Sequence, residues 1–328
     1  MKKMGALLVV LTLLLALGTG CAKTEQGATA LTLSEVAHSV FYAPQYVAIS
    51  QGFFEEAGLD VKLINGGGAD KVMTSVLTGE AQIGLAGPEA CIYVHLEGRE
   101  DAPKIFAQLT NCDGAFLVGR TQETFSWDNL RGKTIIGGRK GGVPEMTLEY
   151  VMRKNGVEPQ VDAQVDTSVQ FNMMAGAFTG GNGDYVTLFE PTATEVEQAG
   201  QGYILCSIGQ QSGAIPYTAY FALDSYLTEQ GDVVQRFTNA IAKGQRWVEE
   251  HSDLEVARAI ADQFPDTDIT VLEQVSARYR AIGAWKTVPT MEQEDFERLM
   301  EVMEQAGELE QRVGFEQFVT NQFASKAQ

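Results

Sequence analysis

Phe41-Tyr-Ala-Pro-Gln-Tyr-Val-Ala-Ile-Ser-Gln-Gly-Phe-Phe-Glu-Glu-Ala-Gly-Leu-Asp-Val61 is the stretch on which the fold turns. It predicts a helix over Pro44–Ala57, which Gly58 ends, and a strand over Val61–Ile64. Upstream, Ala30–Val36 reads as a strand. Downstream, Gly66-Gly-Gly leads into a helix over Asp70–Leu77 and a strand over Ile83–Ala86. Gly87-Pro88 then opens a helix through Leu96, and Lys104–Leu109 is the next strand. Repeated strand, turn and helix units of this length build parallel strands with right-handed crossovers.

A second set of units follows. Ala115–Gly119 and Thr134–Ile136 read as strands, and Gly137-Gly-Arg-Lys-Gly-Gly-Val-Pro introduces a helix over Glu145–Lys154. Leu148, Val151 and Met152 share one face of that helix, and Asn155-Gly156 stops it. Val169–Phe178 is expected to be helical, and Tyr185–Phe189 is a strand running into Glu190-Pro191. Tyr203–Ile208 and Thr218–Phe221 are the last strands. From Leu223 onward the period turns helical, with Val234, Phe237, Ile241, Gly244 and Val248 on one face. Thr290-x-x-Gln293 fits a capping box ahead of Phe296, Leu299, Met300 and Met303. The fold class is therefore α/β, two lobes with a helical C-terminal region packed on lobe one. Lobe one is expected over 30–113 plus 222–328 and lobe two over 115–218. The chain crosses between them near Asn111–Gly114 and Ile215–Tyr220, where glycine and proline suit a hinge.

The 328 residues are 45% hydrophobic and 20% charged, which excludes a disordered chain and a polytopic membrane protein. With 24 Lys+Arg against 43 Asp+Glu the formal charge is −19. That excess argues against nucleic acid as a partner, since phosphate contacts rely on Lys and Arg. Lys2 and Lys3 are the only charges before Lys23, and an apolar run of about 13 residues, Gly5–Leu17, lies between them. The pattern reads as an export signal over 1–20, too short for a membrane span of about 20 residues. Gly18-Thr-Gly-Cys21 resembles a bacterial lipobox, although the usual Leu sits one place early, at Leu17. Cys21 is thus expected to carry a palmitate-type lipid anchor and to begin a polar tether over 21–29. Cleavage would leave 22 basic against 43 acidic residues, a charge of −21.

Cys91, Cys112 and Cys206 remain, without any C-x-x-C, and His38, His95 and His251 lie far apart. No metal spacing exists, and no cofactor is expected. The three cysteines read as small buried thiols, with a Cys91–Cys112 bridge as the alternative.

Together with the lipobox, this organisation resembles the substrate-binding proteins of bacterial ABC importers. It is similar, more narrowly, to the nitrate/sulfonate/taurine and thiamine-pyrimidine group, the NMT1/THI5-like family. The resemblance is carried by Phe41–Val61, by Leu77-Thr-Gly-Glu-Ala-Gln-Ile-Gly-Leu-Ala-Gly-Pro-Glu89 and by Phe189-Glu-Pro191. It covers most of the mature chain, and none of these blocks fixes the ligand. It implies a type II periplasmic-binding-protein-like fold. It also implies an extracytoplasmic, monomeric binding protein that hands a small molecule to a permease and its ATPase.

In open α/β sheets, ligands bind beyond the carboxyl ends of strands, where helix N-termini aim free N–H groups. The loops in that position carry His38, Ser39, Phe41 and Tyr42; Gly87, Pro88 and Glu89; Gly141, Gly142, Val143 and Pro144; and Glu190. Phe41 and Tyr42 would supply flat walls, Ser39 and Asn111 hydrogen bonds, and Tyr217 a closing ring. Each has a plainer alternative: core or hinge packing for Phe41 and Tyr42, a tight turn at Gly141-Gly142, a helix cap at Glu190. A carboxylate at Glu190 would favour an amine-bearing ring, whereas the helix start at Val143 favours an anion. The expected ligand is a pyrimidine-like or other aromatic heterocycle, with an alkanesulfonate or taurine-type anion second.

No G-x-S-x-G, H-E-x-x-H or Walker A motif occurs; Gly132-Lys133-Thr134 has Trp127 where the leading glycine belongs. The cysteine-rich motif of the eukaryotic pyrimidine synthase is also absent, so an enzyme of thiamine-pyrimidine synthesis is the weakest alternative. A lipid-anchored ligand-sensing domain is the other.

Overall fold

The computed structural model describes residues 27–327. The expected leader, Cys21 and most of the tether lie outside those residues. The first sheet begins with β1 (Thr29–Glu35), helix α1 (Ala43–Ser50), β2 (Leu59–Asn65), α2 (Ala69–Leu77), β3 (Ile83–Ala86), α3 (Glu89–Leu96) and β4 (Pro103–Thr110). The second takes β5 (Phe116–Gly119), β6 (Thr134–Ile136), α4 (Val143–Lys154), β7 (Gln164–Asp166), β8 (Tyr185–Leu188), α5 (Thr192–Gln198) and β9 (Tyr203–Ser207). The chain then returns as β10 (Thr218–Leu223), followed by α6 (Gly231–Glu250), α7 (Asp253–Ile260), α8 (Ile269–Ala281) and α9 (Gln293–Gln305).

The two sheets share one plan. Their strand orders are β2-β1-β3-β10-β4 and β7-β6-β8-β5-β9. In each, the strand that follows a crossing inserts antiparallel: β10 between β3 and β4, β5 between β8 and β9. The remaining neighbours are parallel, as strands joined through helices must be. The crossing segments are tied to each other, because Ile215 N–H donates to Asn111 O at 2.9 Å and the Thr110 and Thr218 hydroxyls meet at 2.6 Å. A Cβ at Gly114 would stand 2.7 Å from the Phe41 ring, so only glycine lets the first crossing pass that side chain.

The helical tail covers the first sheet's helices. Val234, Phe237, Ile241 and Val248 of α6 are buried, and α6 lies against α1. A Cβ at Gly244 would fall 2.2 Å from Pro44 O, so the two helices meet backbone to backbone. Burying each large apolar side chain contributes about 1.5–3 kcal/mol. Helix α9 also touches α4, so the tail reaches the second sheet's helices as well.

Four local expectations change. The helix predicted over Pro44–Ala57 is broken, with Phe53–Glu56 as a separate turn, because Gly52 takes φ +72°. Strand β7 has three residues, too few for an alternation to show. Val169–Phe178 is not one helix: a 3-10 turn spans Phe171–Met173 before a helix over Met174–Thr179. The capping box at Thr290 does not form, since the chain is still extended at Glu292 and Gln293 is the first helical residue. A capping box forms instead at Ser252 and Glu255. Cys91, Cys112 and Cys206 are free thiols, without the alternative bridge. No helix among the described residues is long and apolar enough to cross a membrane.

Candidate functional site

Three helices of eight residues or more begin around one cavity of about 60 Å³: α2 at Gly68 and Ala69, α3 at Glu89, and α4 at Gly142 and Val143. Their first N–H groups lack partners within the helix and carry partial positive charge toward that space. Two of the helices belong to the first sheet's half of the molecule and one to the second's. The cavity therefore lies between the lobes, at the carboxyl ends of the strands.

Of the residues singled out from sequence, Tyr42, Gly87, Glu89, Gly142, Val143, Pro144 and Tyr217 line this cavity. Glu89, Tyr42 and Tyr217 are 1%, 0% and 2% exposed. Glu89 Oε2 and both phenol hydroxyls lack a hydrogen-bond partner among the described residues. The other Glu89 oxygen faces the Val143 N–H, across the lobes, at 3.4 Å. Burial pushes the Glu89 carboxyl up to about 7, opposed by the Arg139 charge, by Val143 N–H and by its own helix's first N–H groups. Burial likewise pushes Asp113 up to about 7, opposed by Ala115 N–H and by the nearby Tyr217 hydroxyl, which stops short of hydrogen-bond geometry.

A neighbouring cavity of about 200 Å³ is lined by Ser39 and Glu190, with His38, Asn65, Asn172 and Thr187. Phe171 and Phe189 border both spaces and meet edge to face at 5.1 Å. His38 is held at its rim: Nδ1 lies 2.8 Å from Glu35, Nε2 2.8 Å from Gln263 O, and the ring stacks on Phe264. The hydrogen bond to Glu35 raises the His38 pKa.

Glu190 is committed elsewhere. Its carboxylate accepts from Thr194 N–H at 2.9 Å, from Thr194 Oγ1 at 3.0 Å and from the Arg278 guanidinium of α8. The N-cap is Pro191, so Glu190 is not the cap residue itself, but from the preceding position it satisfies a first-turn N–H as a cap would and adds an ion pair that joins the second sheet's half to the tail. Ser39 Oγ donates to Glu190 O, and Glu190 N–H donates to the Tyr279 hydroxyl at 2.9 Å.

Phe41, Asn111 and Gly141 stand behind the cavity walls. Phe41 is fully buried at the crossings, its ring 5.2 Å from Phe189 and 5.2 Å from Tyr279. Asn111 pairs its backbone with Ile215 and Ala284. Gly141 has φ +72° and its carbonyl accepts from the Tyr93 hydroxyl at 2.8 Å, which clamps the glycine-rich turn to the other lobe.

Asp70, Arg139, Phe171 and Thr218 also line the first cavity and were missed. Asp70 follows Gly66-Gly-Gly at the end of β2, and Arg139 lies inside the quoted glycine-rich turn. The rule that selected the other loops could have found both. Phe171 sits in a 3-10 turn that no periodicity marks.

Comparison with known proteins agrees with this architecture. The family model described as "NMT1/THI5 like" matches residues 40–254, more than half of the chain. The Bacillus subtilis (strain 168) protein named "Putative binding protein YtlA" is 44% identical over 305 residues, 93% of this chain and 91% of that one. The alkanesulfonate-binding protein SsuA from Xanthomonas axonopodis pv. citri, solved with MOPS, superposes with a TM-score of 0.72 at 15% identity, covering 89% of this chain and 98% of that one. The Candida albicans CA3427 product, described as having the generic periplasmic binding protein fold, superposes with a TM-score of 0.67 at 14% identity, over 89% and 96%. These last two likenesses concern the fold alone. By the family match and the 44% identical relative, the chain belongs to the NMT1/THI5-like family, on a two-lobed periplasmic-binding-protein fold.

Proposed function

We propose that the chain is the extracytoplasmic solute-binding component of an ABC importer, which captures a small molecule between two hinged lobes and presents it to a membrane permease and its ATPase. The observation that carries this reading is the interlobe cavity, where three helix starts converge with buried polar atoms that have no partner. Such a space is built for a solute, since the chain itself leaves those groups unpaired. Residues 30–113 with 222–328, and 115–218, are the two bodies that would open about the tied crossings. Family membership and the binding-protein relative support binding over catalysis. A lipid on Cys21 would hold the monomer at the outer face of the cell membrane.

The solute is a pyrimidine-like or other aromatic heterocycle, with an alkanesulfonate or taurine-type anion as second choice. Phe171 and Phe189 give a ring something to stack on. A micromolar affinity needs about −8 kcal/mol, within reach of a stacked ring with several hydrogen bonds. The test is a thermal-shift panel of pyrimidines, flavins, sulfonates, nitrate and amino acids, because binding to the folded state raises Tm. A shift of several degrees with one class supports the reading, and no shift with any of them overturns it.

A further inference from the structure

We propose that Tyr93 and the end of α9 latch the glycine-rich turn Arg139–Val143 from outside the cavity, and so set solute affinity by holding the two lobes together. The proposal rests on the hinged-capture reading and names the residues that govern its closure. The turn alternates between two jobs. Arg139, Gly142 and Val143 line the interlobe cavity. Lys140 and Gly141, between them, do not; they meet α3 and the tail of the first sheet's half instead.

Gly141 O accepts from the Tyr93 hydroxyl at 2.8 Å. Tyr93 lies one helical turn along α3 from Glu89, whose carboxyl faces Val143 N–H at 3.4 Å, so one face of α3 carries both contacts. The tail supplies the rest. Helix α9 ends at Gly307, φ +75°, with Gly307 N–H on Glu304 O and Glu308 N–H on Met303 O. This turn fixes the Glu308 backbone and leaves Ala306 O to a partner from outside the helix. Lys140 Nζ fills that place, donating to Ala306 O at 3.5 Å and standing 3.6 Å from Glu308 Oε1. A cation is favourable at a helix C-terminus, and here the other lobe provides it. Within its own half the turn is braced by buried Glu145, which accepts from Gly141 N–H at 3.1 Å and from Lys140 Nζ at 3.5 Å. Only glycine fits at the centre: a Cβ on Gly141 would stand 2.9 Å from Glu308 Oε2 and 3.4 Å from the Tyr93 hydroxyl.

Lys140 is half-exposed, so its ion pair alone contributes little. The Tyr93 bond and the close approach at Gly141 carry most of the bias. A protein whose binding-competent arrangement is only partly populated binds more weakly by that fraction. The latch therefore tunes affinity without touching the solute.

Double electron resonance on the purified protein tests it, with Asp60 and Gln164 replaced by azide-bearing residues that take spin labels. Both positions are exposed, on β2 and β7, the sheet edges opposite the strands that enter the crossings. Tyr93→Phe should raise the ratio of long to short separations about two- to tenfold, and Glu308→Gln should add to it. Gly141→Ala, which removes no hydrogen-bonding group, should wedge the lobes apart in the same way. Any solute that raises Tm should bind these variants more weakly by the share of the short separation lost. Distance distributions like the wild type's in both the Tyr93→Phe/Glu308→Gln double variant and Gly141→Ala overturn the proposal. So does a longer separation with unchanged solute affinity. The distances need no solute, so an unchanged distribution removes the latch and leaves the importer reading intact, whereas a silent ligand panel removes that reading and leaves the interlobe contact measurable.

Discussion

The loops that start α3 and α5 occupy equivalent places in the two lobes and treat their glutamates in opposite ways. Strands β3 and β8 each stand third in their sheet's order, and each hands on to a glutamate and a proline. The order is reversed, Pro88-Glu89 in one and Glu190-Pro191 in the other. Ahead of its proline, Glu190 reaches forward over the helix start and is consumed by Thr194 and Arg278. After its proline, Glu89 is the first helical residue, folds back over Gly87 and keeps one oxygen free. Position in a cleft loop does not separate these two glutamates. Their hydrogen-bond partners do.

The sharpest way to break this comparison is to remove Arg278. Glu190 has no side-chain exposure and Arg278 only 22%, so Arg278→Met strands a buried carboxylate. A loss of about 3–5 kcal/mol is expected in urea denaturation. Glu89 makes no ion pair of that kind, since Arg139 acts on it only through its charge, and Glu89→Gln should leave stability at pH 8 unchanged or raise it. A loss below about 1 kcal/mol for Arg278→Met would make the two loops energetically alike.

A second break is by pH. In the fold Glu89 titrates at about 7, against 4.5 in its absence. Between those values the folded protein keeps a proton that the unfolded chain has released, so stability falls as pH rises through that window. The full span is on the order of 3 kcal/mol. Tm should therefore drop from pH 5 to pH 8, and Glu89→Gln should flatten part of the slope. Asp113, Glu145 and Glu35, all raised by burial, retain the rest. An identical Tm profile in Glu89→Gln would mean that Glu89 does not hold its proton in the fold.

Much of this was legible from sequence, for a physical reason. Alternating strands and amphipathic helices are set by local periodicity, and Gly87-Pro88 and Gly141-Gly142-Val143 mark helix starts by the chemistry of their turns. Which of two similar glutamates keeps a free oxygen is not local. Arg278 is 88 residues from Glu190, and Tyr279 donates to Gly114 O from 165 residues away. Phe41 shows the same limit, for its burial follows from Phe189, Tyr217 and Tyr279 converging on it from distant parts of the chain.

The smallest expected effect separates two buried tyrosines as the carboxylates were separated. The Tyr279 hydroxyl accepts from Glu190 N–H at 2.9 Å and donates to Gly114 O at 3.2 Å, joining the cleft loop to the first crossing. Tyr279→Phe leaves a buried N–H and a buried carbonyl without that partner, at a cost of about 1–2 kcal/mol. Tyr217→Phe removes a hydroxyl that lies beside Asp113 but makes no hydrogen bond among the described residues, so the unliganded protein should change by less than about 0.5 kcal/mol. The two variants delete the same atom from side chains that are both almost fully buried. Urea denaturation without ligand thus compares a spent hydroxyl with an unspent one. Equal losses would show that Tyr217 has a partner within the fold and leave Glu89 and Tyr42 alone at the cavity wall.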